Sequence, residues 1–476
     1  MHWIVVAIAA TAAVILVLRS RTRNEWGFRD IVKNPKLWSN IEETGRAVDR
    51  AVEEAKQWNE SQISTAVNRF LFEVASSQEA SADAKVLESL GPRVHPAVLQ
   101  ILSDASQRAK LVVATGKNLL PEAPFNRACR LLGDTPPPDA AVRIAPFLDE
   151  PAKEIRKDAA LVLGRIGTTE VVVPLRKAFA DSDEYVRSYG LMGLQRAIKN
   201  HRLDEHCARE LYEDIAQLVI TGKNCDKSAA LLLHTDQTRA TQLFLSERLF
   251  TPSAPSLRET LEALADKCIA VPRDRLLTLI AGLEQGEMEY PKTYALGEAL
   301  RLLGQQKLAG DRALLEARTS ATEPRVAEGA AAGLIASFDL EGFEQRTRGQ
   351  ESAKGFSSLS PAQKHFIAAL MYDGEVNNGG LSQYFFNSSG DYWRDALAGL
   401  EAMGFEERLA VLRQAIAKFG SDGPSPDRKR RQEQLAKLER KNDALFDALD
   451  DRYYKSKEVI DVLAKRYVLK NPDAFR

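Results

Sequence analysis

The side chains best placed to do chemistry sit in one stretch near the C-terminus, GEVNNGGLSQYFFNSSGDYWRDALAGLEAMG. It gathers Glu375, Asn377, Asn378, Gln383, Tyr384 and Asn387, which donate and accept hydrogen bonds but supply no strong nucleophile. Gln383 and Asn387 are four residues apart and share a face if a helix runs through both. Asn and Ser beside Gly are turn chemistry first. Asn377 and Asn387, which flank two breaks, are therefore expected to cap helices and satisfy buried backbone groups. Gln383 and Tyr384 lie between the breaks and neither is needed as a cap. They are the expected contact pair of a partner-binding site whose other candidate members are Asn377, Asn378 and Asn387.

An enzyme is not expected. The segment from 360 onward has a single histidine, His365, no cysteine, and no serine in a nucleophile-elbow sequence. Glu375, Asp391, Asp450 and Asp451 do not have the spacing of a known ion loop. The four cysteines, Cys129, Cys207, Cys225 and Cys268, form no C-x-x-C pair and no zinc-type grouping with histidine. No metal and no cofactor is implied. Scattered single thiols fit a reducing compartment.

A second candidate is the basic run Arg428-Lys429-Arg430-Arg431 in SPDRKRRQEQLAKLERK, expected as a loop leading into a charged helix. Mixed Glu and Lys follow at once, which is the pattern of a solvated helix face. As a patch it would contact nucleic acid or anionic lipid headgroups. Net charge over all 476 residues is -1, so no whole-chain field steers the protein to such partners.

The elements that must position these residues are helices. Apolar residues recur at helical spacing and no long alternating pattern occurs. Ser360-Pro361 predicts a helix start, with Ser360 as N-cap and Pro361 in the first turn. Asn377-Asn378-Gly379-Gly380 predicts a break with positive φ at one glycine. Upstream, the sequence repeats at an offset of 31 residues: Leu148 falls on Phe179, Ile155-Arg156 on Val186-Arg187, Ala159 on Gly190 and Leu163 on Leu194. The same offset returns at Ala295 and Val326, Ala299 and Ala330, Leu303 and Leu334. A helical hairpin cannot bury its apolar face alone, so such units stack. With the cores IRKDAALVLGRIG, VRSYGLMGLQRAI and VAEGAAAGLIA, the repeat resembles HEAT-like repeats.

At the other end, Trp3 to Leu18 is an uncharged apolar run, and Arg19, Arg21, Arg23 and Arg29 follow it. This reads as a transmembrane anchor through residues 3–18. The arginines place the body in the cytoplasm by the positive-inside rule, giving a single-pass protein of the inner membrane.

The C-terminal segment resembles a bacterial family of unknown function whose naming member is a DNA-mimic protein. The resemblance rests on Glu375, Asn377 to Leu381, Gln383 to Phe385, Asn387, Ser388 and Gly390, then Leu449, Asp450, Tyr453, Tyr454, Asn471, Pro472 and Phe475. It implies an all-α domain that acts by binding. One departure bears on mimicry: residues 351–476 hold 19 acidic and 20 basic residues, whereas a surface that replaces phosphates must be acidic.

The expected protein is all-α: a membrane anchor and basic flank (1–23), a helical segment (24–84), an α-solenoid of HEAT-like helical hairpins (85–340), a linker (341–359) and the C-terminal domain (360–476). The expected function is a membrane-tethered scaffold that binds protein partners and does no catalysis. The alternative is a regulator of a nucleic-acid-binding protein, or a direct nucleic-acid binder, acting through the C-terminal domain.

Overall fold

The computed structural model describes residues 35–74, 77–113 and 124–476. Every regular element among them is an α- or 3-10 helix. The all-α expectation stands, but the fold class needs one correction: among the described residues no helix is long and apolar enough to cross a membrane. The run Trp3 to Leu18, which carries the anchor expectation, lies outside the described residues.

The chain divides into two compact units, one of residues 42–269 and one containing residues 270–476. In the first unit the repeat builds helical hairpins: α1 (Pro124–Leu132), α2 (Ala140–Ile144), α3 (Lys153–Ile166), α4 (Val172–Phe179) and α5 (Glu184–Lys199). α3 and α5 are the equivalent helices of successive repeats, and they pack backbone against backbone. A Cβ on Gly164 would lie 2.5 Å from the Gly190 carbonyl oxygen, and one on Gly193 would lie 2.4 Å from the Leu161 carbonyl oxygen. Only residues without a side chain allow this approach, which explains the small residues in the repeat cores. Leu163 and Leu194 are buried at the same contact.

A second device repeats with the same period. Arg156 donates from Nη1 to the Glu150 and Pro151 carbonyls at 3.0 and 2.9 Å, and from Nε to Asp181 in the next repeat at 2.8 Å. Arg187, 31 positions on, donates to the Asp181 and Ser182 carbonyls and reaches forward to Asn224 Oδ1 at 2.9 Å. Each arginine therefore closes the turn before its own helix and ties that helix to the repeat that follows.

The second unit contains another such helix pair, α6 (Lys292–Gln305) and α7 (Pro324–Ser337), with Gly304 and Gly333 in close approach. Leu303 and Leu334 are buried in it. The stretch 341–359, expected as a linker, contains a twelve-residue helix instead, α8 (Phe343–Lys354). Its polar composition hides one anchor: Phe343 packs edge-on against Phe366 and Phe475, at ring separations of 5.3 and 5.8 Å. After α8 come α9 (Pro361–Phe386), α10 (Trp393–Met403), α11 (Glu407–Ala417), α12 (Arg428–Lys441), α13 (Asp447–Lys455) and α14 (Ile460–Lys470). One hydrophobic core runs from Ile335 through Phe475 and holds these helices together.

Candidate functional site

α9 carries the motif. It opens as expected: Ser360 Oγ accepts the Gln363 N–H at 3.3 Å, and Gln363 Oε1 accepts the Ser360 N–H at 2.9 Å. This reciprocal pair is a capping box with Pro361 in the first turn. The helix then breaks at Gly379 (φ -164°) and Gly380 (φ +77°) and resumes at Leu381. The resumed turn needs a new cap, and Asp450 supplies it: its Oδ1 accepts the Leu381 N–H at 2.9 Å. A carboxylate suits this position because the first N–H groups of a helix carry partial positive charge.

The break folds the second half of the motif back onto the first. Glu375 is the hub. Its Oε2 accepts from Gln383 Nε2 at 2.7 Å and from Asn387 Nδ2 at 2.9 Å, and its Oε1 accepts from Ser389 Oγ at 2.7 Å. Asn377 Nδ2 donates to the Asp373 carbonyl at 2.9 Å and to the Tyr453 hydroxyl at 3.2 Å. The Tyr453 hydroxyl in turn donates to the Asp373 carboxylate, and Arg408 lies 2.8 Å from that carboxylate. The Tyr454 hydroxyl donates to the Val376 carbonyl at 2.6 Å. Burial, and next the bond to the Asp373 carboxylate, push the Tyr453 hydroxyl above its usual pKa.

The expected contact pair is not at the surface. Gln383 is buried and spent on Glu375. Tyr384 is buried edge-on against Tyr372, 5.0 Å between ring centres, and burial raises its hydroxyl pKa. Both point inward because the break at Gly380 turns the short helix toward the core, a rotation that spacing along the chain does not reveal. Asn387 is half-buried, and its side chain bonds the Glu375 carboxylate and not the helix-end backbone expected of it. Asn377 and Asn378 remain exposed.

The basic run, expected as a loop, is instead the first turn of α12, capped by Asp427, and it is divided. Arg428, Lys429 and Arg430 are exposed. Arg431 is 0% exposed and is no part of a surface patch. Its Nε donates to the Phe385 carbonyl at 2.7 Å, Nη2 to the Asn387 carbonyl at 2.9 Å and to Asp391 at 2.5 Å, and Nη1 to the Ser425 carbonyl at 2.9 Å. The C-terminal carbonyls of a helix have no partner within it, and a planar guanidinium can serve several at once. The sequence held one sign of this: Arg431, Leu435 and Glu439, four apart, are the buried positions of α12. Glu439 Oε1 accepts from Ser382 Oγ at 2.5 Å, a buried contact to the same motif. Asp373, Arg408 and Glu439 are framework residues that reading the motif alone does not single out.

Among the described residues no group of three His, Cys, Asp or Glu is placed to hold a metal ion. Burial pushes the Cys207 thiol up to about 12 and the Cys129 thiol well above its usual value, which keeps both protonated.

Stacked helical hairpins and an all-α domain framed by an internal polar motif define the class. Residues 357–471 match the family model of DMP19-like proteins, and residues 126–195 match that of HEAT repeats. No curated protein and no solved structure gives a significant match.

Proposed function

We propose that this protein is a non-catalytic scaffold, binding protein partners through its helical repeats and its C-terminal domain. The observation that carries this reading is the fate of the motif. Apart from the Tyr384 hydroxyl, its buried polar groups bond one another, Glu375, Asp450 and Arg431, and they build a frame. What the frame presents outward is Asn377 and Asn378, with Tyr454 fastened beside them on Val376. Tyr454 is 53% exposed, and among the described residues of 357–471 no other large hydrophobic side chain is so exposed. A tyrosine held by its hydroxyl is a low-entropy contact residue, the kind that anchors interfaces.

The second reading is contact with nucleic acid. The observation favouring it is the exposed face of α12, which shows Lys429, Arg430, Lys437, Arg440 and Lys441.

Chemical crosslinking in cells, with the full chain as bait, tests the first reading. A discrete protein partner is expected, lost in N378A/Y454A while the chain stays folded by circular dichroism. Absence of any discrete protein partner, together with nucleic-acid binding that weakens steeply with salt, would replace it with the second reading.

A further inference from the structure

The first helices of two successive repeats carry an exposed apolar pair at the repeat offset. Val142 is 73% exposed and Val173, 31 residues on, is 75% exposed. Isolated exposed valines need no explanation. These two are not isolated, because both line one groove of about 600 Å³. Ala141, Ala145, Pro146, Leu148 and Pro174 supply its apolar surface. Three carboxylates line it, Asp139, Asp149 and Glu170, against one ammonium, Lys177. Asp139 pairs with Arg143 and Asp149 with Lys177, but both carboxylates are well exposed, and such pairs exchange readily for a ligand's cation.

We infer that this groove docks an amphipathic helix of a partner protein, with apolar residues seven apart and Lys or Arg beside them. The assignment takes the scaffold reading as given and names the partner's chemistry. The charge follows from the acidic lining. The spacing follows from the repeat: α4 packs on the turn 145–149 that follows α2, Val142 and Val173 hold equivalent positions, and adjacent units of such a stack lie roughly 8–10 Å apart. Seven residues of α-helix rise about 10.5 Å. A helix laid across the two repeats thus sets one apolar residue near each valine, with the intervening turn over the apolar surface between them.

Two synthetic 18-residue helical peptides with the same leucine positions test this, one flanked by Lys and Arg, the other by Glu. The full chain should bind the basic peptide at least tenfold more tightly than the acidic one. V142K/V173K should weaken that binding at least tenfold without moving the melting temperature, since both sites are exposed. Equal binding of the two peptides, no binding of the basic one, or no effect of the substitutions overturns the assignment. Crosslinking in cells separates this failure from failure of the scaffold reading. A protein partner kept by V142K/V173K refutes the groove and leaves the scaffold standing. No partner for either chain refutes both. A partner lost in the variant and displaced by the basic peptide supports both.

Discussion

Asp450 and Leu381 are 69 residues apart in sequence, and the carboxylate of the first accepts the backbone N–H of the second at 2.9 Å. That bond restarts α9 after its break, and it constrains the glycine before it. A Cβ on Gly380 would lie 2.7 Å from Asp450 Oδ2. Gly380 is thus required twice, for its φ of +77° and for the room it leaves the cap.

Gly380→Val should destabilise the protein by about 1–3 kcal/mol through backbone strain alone, and by more once Asp450 is displaced. Gly379 is different, because its φ of -164° is open to any residue. Gly379→Ala meets only the Gln383 side chain, its Oε1 at 2.2 Å, so it disturbs that buried amide without straining the backbone and should cost less. Denaturant unfolding of the full chain ranks the two, and an equal cost would show that the backbone at Gly380 is not strained.

Glu375→Ala should lower stability by about 1–3 kcal/mol, since it leaves the buried Gln383 amide without its acceptor. Gln383→Ala and Asn387→Ala remove one donor each and should cost less, with the double variant falling short of the sum because both act through Glu375. Thermal unfolding of the set decides this. Additive losses would mean that Glu375 does not join them.

Replacing Arg431 with Ala should cost about 3–5 kcal/mol, because Asp391 loses its partner and the carbonyls of Phe385 and Asn387 lose their donors. Lys429→Ala and Arg430→Ala, on the exposed turn beside it, should stay within about 0.5 kcal/mol of the parent. Both are suited to testing nucleic-acid contact together with Lys437, Arg440 and Lys441, and salt-dependent binding that survives the loss of all five would exclude the basic face of α12.

The contact between repeats predicts a pH effect. Burial pushes the Asp181 carboxyl up. The Arg156 hydrogen bond, the Asp183 N–H and the charges of Arg156 and Arg187 outweigh this and hold it below its usual value. A carboxyl depressed in the folded state contributes stability that is present above the unfolded pKa of about 4, and loses it as pH falls through the folded value. The stability gap between parent and Asp181→Asn should therefore be constant at neutral pH and narrow below about pH 4. A gap that widens in acid would contradict the assigned sign.

Gly193→Val should cost more than a typical overpacking change of about 1–3 kcal/mol, because the added carbons meet backbone that cannot turn aside. A tolerated Gly193→Val, measured by thermal unfolding, would mean that α3 and α5 do not pack at their backbones.

The sequence by itself determined what depends on neighbours along the chain. Helical periodicity made the protein all-α, the 31-residue offset put Leu163, Leu194, Leu303 and Leu334 inside, and Ser360-Pro361 and Gly379-Gly380 marked a helix start and a break. These are local preferences of backbone and side chain, and they are legible because each acts within a few residues. The tertiary structure alone decided where the polar groups of the motif point. Gln383 and Tyr384 turn inward, Arg431 leaves its basic neighbours for the carbonyls of α9, and the polar stretch after 341 becomes a helix held by Phe343. Gln383 meets Glu375 8 residues away, Arg431 meets Phe385 46 away and Asn377 meets Tyr453 76 away, around a break whose direction only packing sets. Spacing shows that such side chains need partners, but the choice among partners is made when burial removes water and leaves each group only those the fold brings within reach.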